Sequence, residues 1–364
     1  MLAASLARRL LTASGVAQSS DMRVRSSIRA AAVGIAAASL LLPGCDRSSD
    51  LRAVSPSAPP PGSPASPSGP SASPVTPPIG PPADPGAYGV GTISVGTFPN
   101  RIAAGGRSIW VANQQGGTVS RIDPATNEVV ATIEVGSFPT GVAVGRGSVW
   151  VADPDDRTLT RIDPATNEVT VVLEVDAGPV DIAFGAGALW MPDPHEDLVV
   201  RIDPATNEVQ AEVSVPLFPV GVAAMRDGIW VTHPEKDQVT RIDPTTNQIV
   251  ATVLAGDFAI GVAAGQGAIW VANAKADTVS RIDPATNQVV ATIPVGDSPF
   301  AVVTTEGEVW VANGHGNTVT RIDAATNRPL VTIPVGAAPY ALAAGEGSVW
   351  VANRADDTVT RIQP

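Results

Sequence analysis

Residues 121–136 read RIDPATNEVVATIEVG. The first seven of these return unchanged at 161–167, 201–207 and 281–287, and with one substitution each at 241–247 and 321–327. The tryptophans set the period. Trp110, Trp150, Trp190, Trp230, Trp270, Trp310 and Trp350 lie 40 residues apart and are the only tryptophans in the chain. A fixed period in this range marks a repeat architecture. One period holds four runs rich in Val, Ile and Thr, which in the second copy are 141–144, 148–152, 158–163 and 168–175. Gly, Pro, Asn and Asp punctuate them, the pattern of strands joined by tight turns. Four strands of about five or six residues, with turns of about four, fill about 40 residues. No run keeps a helical period. The sequence therefore predicts an all-β, seven-bladed β-propeller with four antiparallel strands per blade.

The two ends of the repeat region predict how the ring closes. The last copy reaches Arg361 without a fourth strand, while GTISVG at 91–96 matches the fourth-strand sequence ATIEVG of 131–136. Pairing 91–96 with the last copy completes the seventh blade and removes an exposed sheet edge.

The segments before the repeats read differently. Residues 22–45, MRVRSSIRAAAVGIAAASLLLPGC, carry Arg23, Arg25 and Arg29 ahead of a 13-residue apolar run at 30–42. That run is shorter than the roughly 20 residues a membrane-spanning helix needs and fits a secretory signal. Residues 1–44 are expected to be the signal peptide, with Met22 as an alternative start. LPGC at 42–45 resembles the bacterial lipobox, and the resemblance implies cleavage before Cys45 and lipidation of its thiol. Residues 45–87 form the expected linker. Within it, 53–86 contain 13 prolines, seven serines and one charge, Asp84. Such a composition is expected to be disordered. At about 3.1 Å per residue in polyproline II it would reach roughly 100 Å. The propeller is expected over 88–364, anchored to a bacterial cell envelope and monomeric.

Formal net charge is −12, and the first 44 residues hold five Arg against one Asp, so the remainder is more acidic still. An acidic body does not suit nucleic acid. Cys45 is the only cysteine, which excludes an intramolecular disulfide and a Cys-based zinc site.

Residues 110–113, 270–273, 310–313 and 350–353 read WVAN, and 230–233 read WVTH. These copies resemble the YVTN-type β-propeller repeats of bacterial surface proteins, over residues 91–364. The resemblance implies the propeller fold. It leaves activity open, because that family contains enzymes, cofactor-handling proteins and plain scaffolds.

Groups present in every copy read as scaffold. The tryptophans are expected to pack between blades. Arg121 and Asp123, two apart on one strand face, recur through Arg321 and Asp323. Asp-Pro-Ala-Thr-Asn suits a turn in which Asp accepts backbone hydrogen bonds and Asn takes the left-handed region.

Specific chemistry belongs where the copies differ, in the five residues that follow Trp-x-x. These loops hold eleven Asp or Glu against four Lys or Arg, and all three histidines. Phe98, Phe138, Phe218 and Phe258 share one column of the inter-blade turns, with Phe300 and Tyr340 two positions later, but the third blade has Gly178. That gap lies beside Asp193, His195 and Glu196, and beside His233 and Glu235 of the next blade. These five form the candidate ligand or metal site. Imidazole with carboxylate suits a divalent transition metal, and Asp153, Asp155, Asp156 and Asp197 would suit calcium. On the innermost strands, Arg101 and Asp181 replace the Gly or Ala of the other copies and are expected to pair near the channel or to touch a ligand.

Three functions are expected in turn. The first is a lipid-anchored, non-enzymatic binding scaffold for an envelope protein, peptide or glycan. The second is a metal-dependent lyase. The chain resembles the virginiamycin B lyase propellers, whose site combines a histidine, glutamates and magnesium on one face. His195 or His233 with Glu196 or Glu235 would supply it, although the lyase repeats favour Trp-Phe-Thr-Glu where this chain has Trp-Val-Ala-Asn. The third is a quinoprotein or cofactor-maturation protein. No Ser/His/Asp triad and no phosphate-cradling glycine loop can be assigned.

Overall fold

Strand β1 (Gly91–Ser94) lies antiparallel to β28 (Thr358–Ile362), pairing Gly91 with Arg361, Ile93 with Val359 and Ser94 with Thr358. The first residues of the repeat region are thereby zipped onto the last. The computed structural model describes Tyr88 and residues 91–363. The signal segment, Cys45 and most of the linker lie outside the described residues.

Among the described residues, 28 strands form seven four-stranded antiparallel sheets. In blade 1 these are β2 (Pro99–Gly105), β3 (Ser108–Asn113), β4 (Thr118–Asp123) and β5 (Glu128–Glu134), in that order. Blade 7 joins β26 (Pro339–Gly345), β27 (Ser348–Asn353) and β28 to β1. The closing strand is shorter than the expected 91–96. Val95 adds one more hydrogen bond, to the Asp357 carbonyl, and Gly96 then turns away against the Asn113 side chain, leaving no room for a Cβ. Among the described residues, helical structure is limited to 3₁₀ geometry at Tyr88 and Pro234–Lys236, and no helix is long and apolar enough to cross a membrane.

Burial follows strand position. The second strand of blade 1 is buried along its whole length, while the outer strand alternates exposed and covered residues. Core layers sit between neighbouring sheets. Trp110, Val119 and Ile133 of blade 1 pack against Val142, Val149 and Ile162 of blade 2, and Trp350, Val359 and Ile93 pack against Ile102, Ile109 and Ile122 across the closure. All seven tryptophans are 0% exposed. Each buries about 150–250 Å², an upper-bound gain of roughly 4–6 kcal/mol.

The recurring arginine ties these layers together. Arg121 lies 5.1 Å over the Trp110 ring, and all seven equivalent arginines stack on their tryptophans at 4.8–5.5 Å. Arg121 Nη1 also donates to the Pro164 carbonyl at 2.7 Å and to Asn167 Oδ1 at 2.8 Å, both in the next blade. Arg201, Arg241 and Arg281 repeat the reach, and Arg361 makes it across the closure to Pro124 and Asn127. Asp123 acts within its own turn, where its Oδ1 accepts the Ala125 N–H. Asn127 takes φ 61°, which Asn tolerates better than most residues.

Two innermost strands are short, that of blade 3 and that of blade 4, which covers only Val222–Ala224. The innermost strand of blade 3 covers only Ala183–Gly185. In blade 1, Arg101 pairs with Ala112, but the corresponding partner of Asp181 is Pro192. Proline has no N–H to give the ladder. Asp181 is thus released from regular pairing.

If β1 closes the ring, Ile93→Asp places a charge in a site only 6% exposed. A loss of about 3–5 kcal/mol is expected, or roughly 10 °C in Tm for a domain of this size. Thr92→Asp, on the exposed side of the same strand, should cost no more than about 0.5 kcal/mol. Equal effects in thermal melts would refute closure by this strand.

Candidate functional site

The variable loops begin from a buried polar residue at the end of the second strand. In four blades this is Asn113, Asn273, Asn313 or Asn353, each 0% exposed. Asn113 Nδ2 donates to Thr118 Oγ1 at 3.0 Å and Ser120 Oγ at 2.9 Å, pinning the loop base to the third strand. The equivalent asparagines do the same.

The turn into the next blade needs an acceptor for one backbone N–H. Usually the fifth loop residue provides it. Asp357 accepts from Phe98, Asp197 from Phe218, Asp237 from Phe258, Asp277 from Ser298 and Asn317 from Ala338. Blades 1 and 2 have Gly117 and Arg157 there, which offer no such oxygen. The following blade compensates. Asp153 Oδ2 accepts from Phe138, and Asp193 Oδ2 accepts from Gly178 at 2.8 Å. Asp193 Oδ1 takes the His195 and Glu196 N–H groups, at 2.7 and 3.2 Å. Asp153 Oδ1 likewise takes those of Asp155 and Asp156. The acids at these two positions are turn caps.

The five candidate residues divide accordingly. Asp193 has both oxygens on backbone amides. His195 packs its Cδ2 edge where a Gly178 side chain would stand, 2.8 Å from the position of a Cβ, so the gap in the aromatic column is filled by imidazole rather than left open. It also faces Asp155: burial, Asp153 and Asp156 push the Asp155 carboxyl up, and His195 pulls it back down. Glu196 and Glu235 are exposed. His233 is 0% exposed at the loop base, in the column that elsewhere holds Asn or Asp. Neither ring nitrogen has a well-formed hydrogen bond, and the Thr240 hydroxyl lacks the amide donor that its equivalents receive. Burial lowers the His233 pKa to about 4, against the opposing pull of the Pro216 and Leu217 carbonyls and of Asp197.

These residues do not fit a divalent cation. Asp153, Asp156, Asp193 and Asp197 already accept backbone N–H groups. Among the described residues, no group of three His, Cys, Asp or Glu converges to hold a metal ion.

The structure does bring Arg101 and Asp181 together. They belong to blades 1 and 3, yet Arg101 Nε lies 3.1 Å from Asp181 Oδ1. They line a central cavity of about 170 Å³ together with Phe300 and Tyr340. Asp181 Oδ1 also accepts its neighbour's N–H, at Ile182. Burial works against the Arg101 charge, but Asp181 and Tyr340 outweigh it and hold the pKa above the ordinary arginine value. Reading the sequence missed Arg354, which sits beside this cavity. The available signal was its column: the other six loops have Gln114, Pro154, Pro194, Pro234, Ala274 and Gly314 there.

With this geometry in place, comparison with known proteins settles the family. Residues 90–363 match the virginiamycin B lyase family. The chain belongs to that family. The propeller is similar to a streptogramin B lyase structure, with 16% identity, a TM-score of 0.67, and coverage of 76% of this chain and 97% of that one. It is similar to a hydrazine synthase chain of Kuenenia stuttgartiensis, with 15% identity, a TM-score of 0.67, and coverage of 75% and 97%. Identities this low speak for the fold alone. No curated protein matches the chain. On the loop face of this chain, Asp153 and Asp193 hold the loops themselves.

The buried His233 predicts an acid-sensitive fold. Its folded pKa of about 4 lies below the free value of 6.5. The stability tied to its neutral form is complete above about pH 6.5 and is lost as pH falls toward 4, by up to about 3 kcal/mol. His233→Asn should flatten urea midpoints across that window and restore a donor to Thr240. An unchanged slope would remove His233 as the cause.

Proposed function

We propose that this chain is a binding propeller of the bacterial cell envelope, tethered by lipid at Cys45 and a proline-rich spacer, which presents its loop face to a partner. One observation carries this reading. Asp193 and His233, the groups best suited to chemistry on that face, are a turn cap and a sealed ring. The side chains left facing solvent include Asp155, Glu196 and Glu235. An acidic rim of this kind suits a basic protein or peptide segment and would speed its encounter. A glycan is a partner of the same face with less use for its charge.

Family membership favours a second reading, a lyase. It would need His195 with Glu196 as the acid–base pair, since both are at least partly accessible.

Two measurements test these readings on the full-length protein. Palmitate labelling and fractionation should place the wild type with membranes and Cys45→Ser in the soluble fraction; equal partitioning would overturn the tether. Purified protein supplied with magnesium should not turn over virginiamycin B. Turnover that falls by about 10²-fold or more in His195→Ala would replace the binding reading with the lyase.

A further inference from the structure

Arg354 is a cation without a counter-charge. It is 8% exposed. Its guanidinium carbon lies 3.9 Å from the Phe98 ring centroid and 4.4 Å from that of Tyr340. Nη2 donates to Gln114 Oε1 at 2.8 Å across the ring closure, and Nε has no acceptor. Among the described residues it forms no ion pair. Arg101 also lies near Tyr340, 5.5 Å from the same ring, and among the described residues Asp181 is the one carboxylate bonded to either arginine. Burial pushes the Arg354 pKa down, Tyr340 opposes this, and Arg101 adds to the downward push. A buried guanidinium beside a second one is costly unless an anion joins them.

The surroundings define which anion. Tyr340 and Phe300 are tilted against each other with centroids 5.2 Å apart, and both line the central cavity. The rest of its wall includes Ile102, Val142 and Leu342. Its volume of about 170 Å³ is below the roughly 300–1,000 Å³ of drug-sized pockets. A planar carboxylate matches a guanidinium fork better than other common anions of this size, and an aromatic or aliphatic body matches the walls.

We propose that the channel mouth between Arg354, Tyr340 and Arg101 is a binding site for a small organic carboxylate with an apolar body. The site is distinct from the acidic loop rim of the binding reading and does not depend on it. Structural stapling alone would explain the Gln114 bond, but it does not explain a nearly buried guanidinium that has no carboxylate partner beside a second one that has Asp181.

The test is calorimetric titration and thermal melting of the full-length protein with benzoate, using benzamide as the neutral isostere. Benzoate should bind at least about tenfold more tightly than benzamide and raise the Tm. Arg354→Met should abolish that preference. Gln114→Leu, which cuts the staple and keeps the charge, should retain it. Equal binding of the two probes, no binding of either, or a benzoate preference that survives Arg354→Met would overturn the site. If Arg354→Met fails to fold, the wild-type and Gln114→Leu titrations still decide it.

Discussion

The ring depends on one interaction repeated around it: an arginine that lies on its own tryptophan in every blade and, in five of the seven, also holds the turn of the next blade. A single four-stranded sheet has two faces and cannot cover either one alone. Burial of the tryptophans supplies most of the drive to stack sheets, but burial has no direction. The arginine adds direction. Its charged hydrogen bonds to a carbonyl and an Asn side chain are worth about 1.5–3 kcal/mol each, and its stacking roughly 0.5–2 kcal/mol. Blades 1, 4 and 5 are each donor to one neighbour and acceptor from the other, whereas Arg161 donates to Ser148 of its own blade. A change in Asn127, Asn167, Asn247, Asn287 or Asn327 loosens the arginine of the blade before it. Arg321 shows the same requirement by another route, engaging Glu308 and lying over Tyr88.

With the walls fixed in this way, the loop face carries its own set of internal hydrogen bonds. One buried side chain per blade sits at the loop base, and one acceptor caps each following turn. When Gly117 and Arg157 cannot cap, Asp153 and Asp193 do so from the next blade. Acids that look like ligand sets in the sequence are thereby drawn into backbone amides. A carboxylate accepting two or three N–H groups has fewer lone pairs left to offer a metal ion. His233 completes the pattern: an imidazole placed where an amide belongs is a strain on the loop base, because the site is too dry to charge it.

The fold was legible because it is periodic. Tryptophans 40 residues apart, strand runs between Gly and Asp turns, and a stray fourth strand at 91–96 determine blade number and closure without any long-range contact being known. Arg101 and Asp181 were legible as charges in a column of Gly and Ala. The roles of Asp193 and His233 were not, since their partners are backbone amides and carbonyls, some of them 15 or more residues away and invisible to residue type. A comparison between columns would have helped. Asp appears at the loop base only when the preceding blade lacks Asp or Asn at its loop end. Gly178 misled for a related reason: an absent aromatic suggests a hole, but the adjacent His195 occupies the space.

A ring of seven near-identical units has no unique place for a ligand until something breaks the equivalence. Three blades do so at the channel. Pro192 removes one ladder hydrogen bond and frees Asp181 in blade 3; Arg101 reaches it from blade 1, past the small Gly141 of blade 2. Tyr340 and Arg354 of blade 7 then stand against Arg101 at the closure. The asymmetry is electrostatic as well as steric, because the ion pair neutralises one arginine and leaves the other facing aromatic rings. Stacking on two π-faces offsets part of the cost of burying that charge, though it cannot supply a negative partner. The point where the repeat is joined end to end is also where a nearly buried guanidinium lies against aromatic rings without a carboxylate partner, which makes the closure the natural seat of specificity in the ring.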